Sequence, residues 1–131
     1  MIVEGSAFQG HSCRQPAALH SERMAIKTYP LGEVIATRNL ALVKADGSRT
    51  IVQVRLGKPT RFPDSSDCYV PFQITGIGSE RVFCAGGIDG FQALQDVMPI
   101  ISAQLSALGG TCGGELRWEG DETGALGFPE A

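Results

Sequence analysis

The sequence predicts an α+β domain: a four-stranded antiparallel meander with one long C-terminal helix packed on one face. Three observations lead to this prediction. The stretch RTIVQVRLG, residues 49–57, alternates apolar and polar side chains, which is typical of a strand with one buried face. Asp46-Gly47 separates two β-rich runs, as in a hairpin turn. After Asp89, apolar residues recur every three or four positions, as on one side of a helix.

The first two strands are residues 33–43, EVIATRNLALV, and residues 49–57. Val34, Leu40 and Leu42 share an alternation phase with Arg38, so a charged side chain falls among apolar ones. We therefore expect a β-bulge that shifts the register of the first strand.

The third and fourth strands are CYVPFQITGIG, residues 68–78, and SERVFCAGGI, residues 79–88. Pro71 cannot donate a ladder hydrogen bond, which predicts that the third strand lies at an edge or is bulged there. Alternation turns four of its side chains inward, namely Cys68, Val70, Phe72 and Ile74, and turns Tyr69, Gln73 and Thr75 outward.

The helix has start and stop signals. Asp89 and Gln92 have the spacing of a capping box, and Gly109 with Gly110 predicts the C-terminal end. The stripe expected to face the sheet consists of Phe91, Leu94, Met98, Ile101, Leu105 and Leu108.

One folded domain is predicted over residues 32–108. Residues 1–31 show no sustained period and read as a flexible N-terminal arm, with Met24 as an alternative start. Residues 109–131 are rich in glycine and carry five acidic side chains against one basic. They form either an acidic tail anchored by Trp118 or a weak terminal hairpin of ELRWEG with ALGFP.

Composition narrows the classes of partner and compartment. The net charge is -3, so no basic field attracts nucleic acid. No apolar stretch approaches the ~20 residues that cross a bilayer, and no signal peptide opens the chain. The four cysteines are widely spaced, which favours reduced thiols and predicts a cytoplasmic protein. Together with the charge and hydropathy, this predicts neither a membrane nor a nucleic-acid partner.

No motif indicates catalysis, a metal or a cofactor. His11, Cys13 and His20 match no zinc pattern, and both histidines precede the predicted domain, away from Cys68 and Cys84. The acidic pairs fall in turns, and TGIGSE leads into a strand rather than into a helix that binds phosphate. We therefore expect no catalytic, metal-binding or cofactor-binding residues.

Two surfaces remain as candidates. The first is a ligand or partner surface formed by Arg38, Arg55, Tyr69 and Gln73. The second is an interface on the helix side opposite the stripe, which carries few charges. Its residues are Asp96, Ile100, Ala103 and Ala107, together with Trp118. The C-terminal segment, a second copy or a different protein could cover this side, or it could stay uncovered.

The stretches GEVIATRNLALVKADGSR and GGIDGFQALQDVMPIISAQLSAL, within residues 32–108, resemble a family of small bacterial proteins that carry a domain of unknown function. The resemblance implies the sheet and helix but no activity and no site residues.

Two functions are therefore weighed. The first is a non-enzymatic protein-interaction or regulatory module of the immunity type, acting by self-association or with a protein partner. The alternative is a protein or enzyme that binds a small anion between sheet and helix, near Arg38 and the loop of residues 58–67. An inward-pointing Arg38 would favour the alternative, because a buried arginine needs an anionic partner.

Overall fold

One antiparallel sheet and one long helix form the computed structural model, which describes residues 2–3, 29–121 and 123–129. Most of the predicted N-terminal arm, residues 4–28, lies outside the described residues. The elements are β1 (Ile2–Val3), β2 (Val34–Lys44), β3 (Arg49–Gly57), β4 (Thr60–Arg61), β5 (Cys68–Thr75), β6 (Val82–Gly87), α1 (Gly90–Thr111) and β7 (Gly114–Trp118).

The strand order is β1-β6-β5-β3-β2-β7, with β4 pairing beside β5. The predicted α+β class and the meander β2-β3-β5-β6 are confirmed, although six strands rather than four follow one another across the sheet. Residues 114–118 pair with β2 and not with ALGFP, so the sheet extends beyond residue 108. The C-terminal region thus contributes an edge strand in place of the predicted tail or hairpin.

The β2–β3 hairpin forms at Asp46-Gly47, as predicted. Gly47 has a φ of 89°, a region that glycine enters without steric cost. The Asp46 carboxylate accepts a hydrogen bond of 2.8 Å from the Ser48 amide. The expected bulge is present, because Val34 pairs with Gly57 whereas Ala36 pairs with Leu56.

Strand β5 lies inside the sheet, so its predicted edge position is wrong. It pairs with β6 on one side and with β3 and then β4 on the other. Pairing with β3 ends at Phe72 and pairing with β4 begins at Tyr69. Pro71 therefore lies in the gap between β3 and β4, and this gap accommodates proline in place of an edge.

Helix α1 begins at its predicted cap and ends later than predicted. Asp89 accepts a hydrogen bond from the Gln92 amide, and Gln92 accepts one from the Ile88 amide. The helix continues through Gly109 and Gly110 to Thr111, and the chain then turns at Gly113, where φ is 71°.

The buried side of α1 is rotated from the predicted stripe. Ile101, Leu105 and Leu108 are buried as expected, but Phe91 is 82% exposed. Ala93 and Val97 take the place of Phe91 in the core. A Cβ at Gly87 would lie 2.6 Å from the Ala93 amide nitrogen, so β6 and the first helical turn approach too closely for large side chains.

This rotation predicts unequal effects of truncating two large residues of α1. Ile101→Ala should lower the free energy of unfolding by about 2–5 kcal/mol, because it leaves a cavity in the core. Phe91→Ala should change it by less than ~0.5 kcal/mol. Urea unfolding followed by circular dichroism measures both, and a larger loss for Phe91→Ala would contradict the observed helix orientation.

Candidate functional site

Arg38 points to the helix side of the sheet, where a positive charge is unexpected. The bulge lies before Ala36, so alternation runs unbroken from Arg38 to Leu40 and Leu42. These two leucines belong to the core, and Arg38, half-buried, lies on the same face. The strand cannot expose Arg38 on the other face without also turning the two leucines out of the core.

Two aromatic rings enclose the Arg38 guanidinium. Strand β7 pairs Trp118 with Leu40, two residues from Arg38 on the same face. The guanidinium carbon lies 4.0 Å from the centre of the Trp118 ring and 4.6 Å from that of Phe128. Cation–π contacts of this kind contribute about 0.5–2 kcal/mol each.

The chain after β7 folds back across this face. The Asp121 amide donates to the Trp118 carbonyl, and the Asp121 carboxylate accepts from the Thr123 amide. Hydrogen bonds from the Thr123 side chain and backbone lower the pKa of the Asp121 carboxyl. Arg38 Nη1 then donates to the Leu126 carbonyl over 3.1 Å. We call residues 123–129, held in this way, the C-terminal strap.

A cavity of about 170 Å³ lies between the sheet, the helix and the strap. Its lining is mainly apolar, with Arg38 as the charged member: Ala36, Thr37, Arg38, Val54, Leu56, Met98, Ile101, Gly127 and Phe128. This volume is below the ~300–1,000 Å³ of pockets for drug-sized ligands. The volume is close to that of an apolar protein cavity of ~150 Å³ that binds benzene.

Arg38 keeps hydrogen-bonding capacity at this cavity. A guanidinium has about five N–H donors, and one of them binds Leu126. Arg117 forms an ion pair with Glu115, whereas Arg38 has no carboxylate partner among the described residues. The arrangement can therefore hold a small anion whose body is apolar.

The structure separates the predicted ligand surface into two faces. Arg55 and Gln73 are cross-strand neighbours on the outer face, opposite the Arg38 cavity. Tyr69 was expected to be exposed there but is only 6% exposed, because Tyr29 and Phe62 pack against it. Burial raises the pKa of the Tyr69 phenol.

The loop of residues 58–67 is absent from the cavity lining, contrary to its expected place beside Arg38. Its Phe62 ring lies 5.0 Å from the ring of Tyr69, on the outer face of the sheet. The strap takes the position beside the cavity that was predicted for this loop, because the strap packs on Trp118 and Arg38.

The helix residues proposed as an interface differ in exposure. Ala103 is exposed, whereas Asp96 and Ala107 are half-buried. Ile100 and Trp118 are half-buried and pack against the core. The helix side with few charges is thus partly occupied by the protein itself.

The described residues contain no group of three or more His, Cys, Asp or Glu side chains placed to hold a metal ion. Cys68 is a half-buried free thiol, and Cys84 is buried. Cys112 is disulfide-bonded, which differs from the prediction of reduced cysteines.

From the sequence, a folded-back C-terminal segment was one of several alternatives for the helix side, but the packing of this segment against Arg38 was not predicted. Phe128 and Trp118 are large aromatics in a glycine-rich region, and such residues rarely stay fully exposed. Gly127 shows how closely the strap packs, because a Cβ there would lie 2.3 Å from Trp118 Cζ3 and 2.6 Å from Arg38 Nη1.

Two glycine substitutions should separate this contact from backbone strain. Gly124 and Gly127 have φ values of 88° and 82°, so alanine is strained at both, by about 1–2 kcal/mol. A Cβ at Gly124 meets no atom within 4 Å. The amides of the strap should therefore exchange hydrogen faster in Gly127→Ala than in Gly124→Ala. Equal exchange in the two variants would mean that the strap does not depend on close packing against Trp118.

Comparison with known proteins identifies a family and no activity. No helix in the described residues is long and apolar enough to cross a membrane. No curated protein and no solved structure matches the sequence. Residues 36–130 match a domain of unknown function, DUF6968, and this range includes the sheet from Ala36 onward, the helix and the strap. The chain therefore belongs to the DUF6968 family.

Proposed function

We propose that this domain binds a small carboxylate-bearing molecule in the cavity between sheet, helix and strap. The observation that supports the proposal is the Arg38 guanidinium at the wall of an otherwise apolar cavity of about 170 Å³. A carboxylate accepts two parallel N–H bonds from a guanidinium, which is a strong and directional arrangement. The apolar lining favours an aliphatic or aromatic body no larger than about one benzene ring.

Binding without catalysis fits the residues around the cavity. The side chains of the lining include no cysteine, histidine, lysine or carboxylate that could act as a nucleophile or base. Thr37 carries a hydroxyl, but it pairs with Arg55 in β3, so its side chain lies on the outer face of the sheet, away from the cavity. We therefore propose a binding or sensing role rather than an enzymatic one.

Benzoate and benzamide form a matched pair of probes for this site. They have nearly the same size, but only benzoate is charged. Benzoate should raise the melting temperature, since a ligand at 100 times its dissociation constant adds ~2.7 kcal/mol to stability. Benzamide should raise it much less. Calorimetric titration gives the two dissociation constants directly.

Variants assign the effect to the cavity. Arg38→Met should abolish the benzoate response, and Ala36→Phe should abolish it by filling the cavity while leaving Arg38 in place. Arg55→Met, on the opposite face of the sheet, is the control and should respond like the parent protein. Equal responses to benzoate and benzamide, or a response that survives Ala36→Phe, would contradict the proposal.

A second candidate function is the protein-interaction or regulatory role. It is supported by Ile88 and Phe91, which are 71% and 82% exposed beside each other at the start of α1. Large apolar side chains exposed together often mark a binding surface. A photo-crosslinking residue at position 91 should give one discrete adduct in the native host, lost on Ile88→Asp. Absence of any adduct would count against this role.

A bacterial, cytoplasmic location is also part of the proposal. The free thiol of Cys68 supports it, and the disulfide at Cys112 counts against it, because cytosolic disulfides are rare. Alkylation of the native protein followed by mass spectrometry decides between them. Four modified thiols would support a reducing compartment, and a protected Cys112 would contradict it.

A further inference from the structure

We propose that two copies of this chain pair through their β7 strands and form one continuous antiparallel sheet. Strand β7 pairs with β2 on one side, and none of the described strands pairs with its other side. Its far edge therefore presents backbone N–H and C=O groups that a further strand can bind. A second copy of β7 is the partner that the sequence of this strand fits best.

The outer face of β7 is charge-complementary to itself. Glu115 and Arg117 both lie on this face, with side chains 62% and 51% exposed. In an antiparallel pair centred on Leu116, Glu115 of one copy lies opposite Arg117 of the other, and the two-fold axis repeats the contact. Many edge strands avoid pairing by carrying charged side chains, especially lysine, because like charges placed opposite each other repel. The alternating signs of β7 attract an identical strand instead.

In the same register, large and small residues on the inner faces of the two β7 strands lie opposite each other. Trp118 of one copy falls opposite Gly114 of the other, so a large ring meets a position without a side chain. Gly114 has no room for a side chain of its own, since a Cβ there would lie 2.8 Å from the Val43 carbonyl oxygen. Aromatic residues opposite glycine are a recognised way of fixing the register of strands.

Two glycines near the end of α1 are also consistent with a second copy that lies close by. Gly109 and Gly110 lie inside the helix, where each costs about 1 kcal/mol relative to alanine. A Cβ at Gly110 would meet no atom within 4 Å, so the fold of one chain does not require glycine there. A Cβ at Gly109 would lie 3.6 Å from Leu116 Cδ1 of β7, which places this turn of the helix above the pairing strand. Short side chains there leave room for the helix of the second copy.

A charge-swap experiment tests this pairing. The parent protein should have twice the 13.9 kDa mass of one chain in light scattering at high protein concentration. Glu115→Arg gives a strand with two cations, and Arg117→Glu gives one with two anions. Each variant alone should raise the dimer dissociation constant by about tenfold or more, because cross-strand ion pairs become like-charge pairs.

Complementation distinguishes pairing from a structural role of these residues. An equimolar mixture of the two single variants should form a heterodimer, and the double variant Glu115→Arg/Arg117→Glu should dimerise like the parent. Arg49→Glu, an exposed charge reversal in β3, is the control and should leave the mass unchanged. Circular dichroism confirms that each variant is folded. A monomeric parent protein, or single variants that dimerise as well as the parent, would overturn the proposal.

Discussion

The strict alternation of side chains along β2 is the constraint on which the rest of this structure depends. This strand of 11 residues pairs with β3 over most of its length and with β7 over its second half. Leu40 and Leu42 fix which face is buried, and Arg38 must then share that face. Burying a charge without a partner is costly, so the fold needs other groups around the guanidinium. Trp118, Phe128 and the Leu126 carbonyl meet this need, and all three come from residues beyond the predicted domain.

The meander and the helix cap could be predicted because their signals are local. The hairpin at Asp46-Gly47 and the cap at Asp89 each depend on residues within four positions of one another. Strand β7 was predicted only as one arm of a weak hairpin with ALGFP, because its short sequence, GELRW, has a single buried side chain, Leu116. Its place in the sheet is set by pairing with β2, seventy or more positions earlier in the chain. Such a distant partner leaves no periodic signal in the strand itself.

The rotated helix illustrates a different limit of sequence patterns. Phe91 fits a regular apolar stripe better than Ala93 does, and hydrophobicity alone selects the larger residue. The contact that decides is steric, because β6 approaches the first turn of α1 at Gly87 and admits Ala93 there. The candidate site was only half predictable for the same reason. An inward Arg38 follows from alternation, but the cavity depends on the strap, whose position is set by packing of Gly127 against Trp118.

The energetic role of Arg38 bears directly on its function. Replacing a buried charged group by an apolar residue of similar volume is often neutral or stabilising. Two cation–π contacts and one hydrogen bond to a carbonyl stabilise the guanidinium in this position. The free-energy cost of removing the guanidinium from water offsets this stabilisation. If Arg38 only secured the strap, an apolar residue packed between the same two rings would secure it as well. An apolar residue could not bind an anion in the cavity. Stability and anion binding should therefore respond differently to Arg38→Met, with stability nearly kept and binding lost. Anion binding retained in Arg38→Met would show that the guanidinium does not hold the anion.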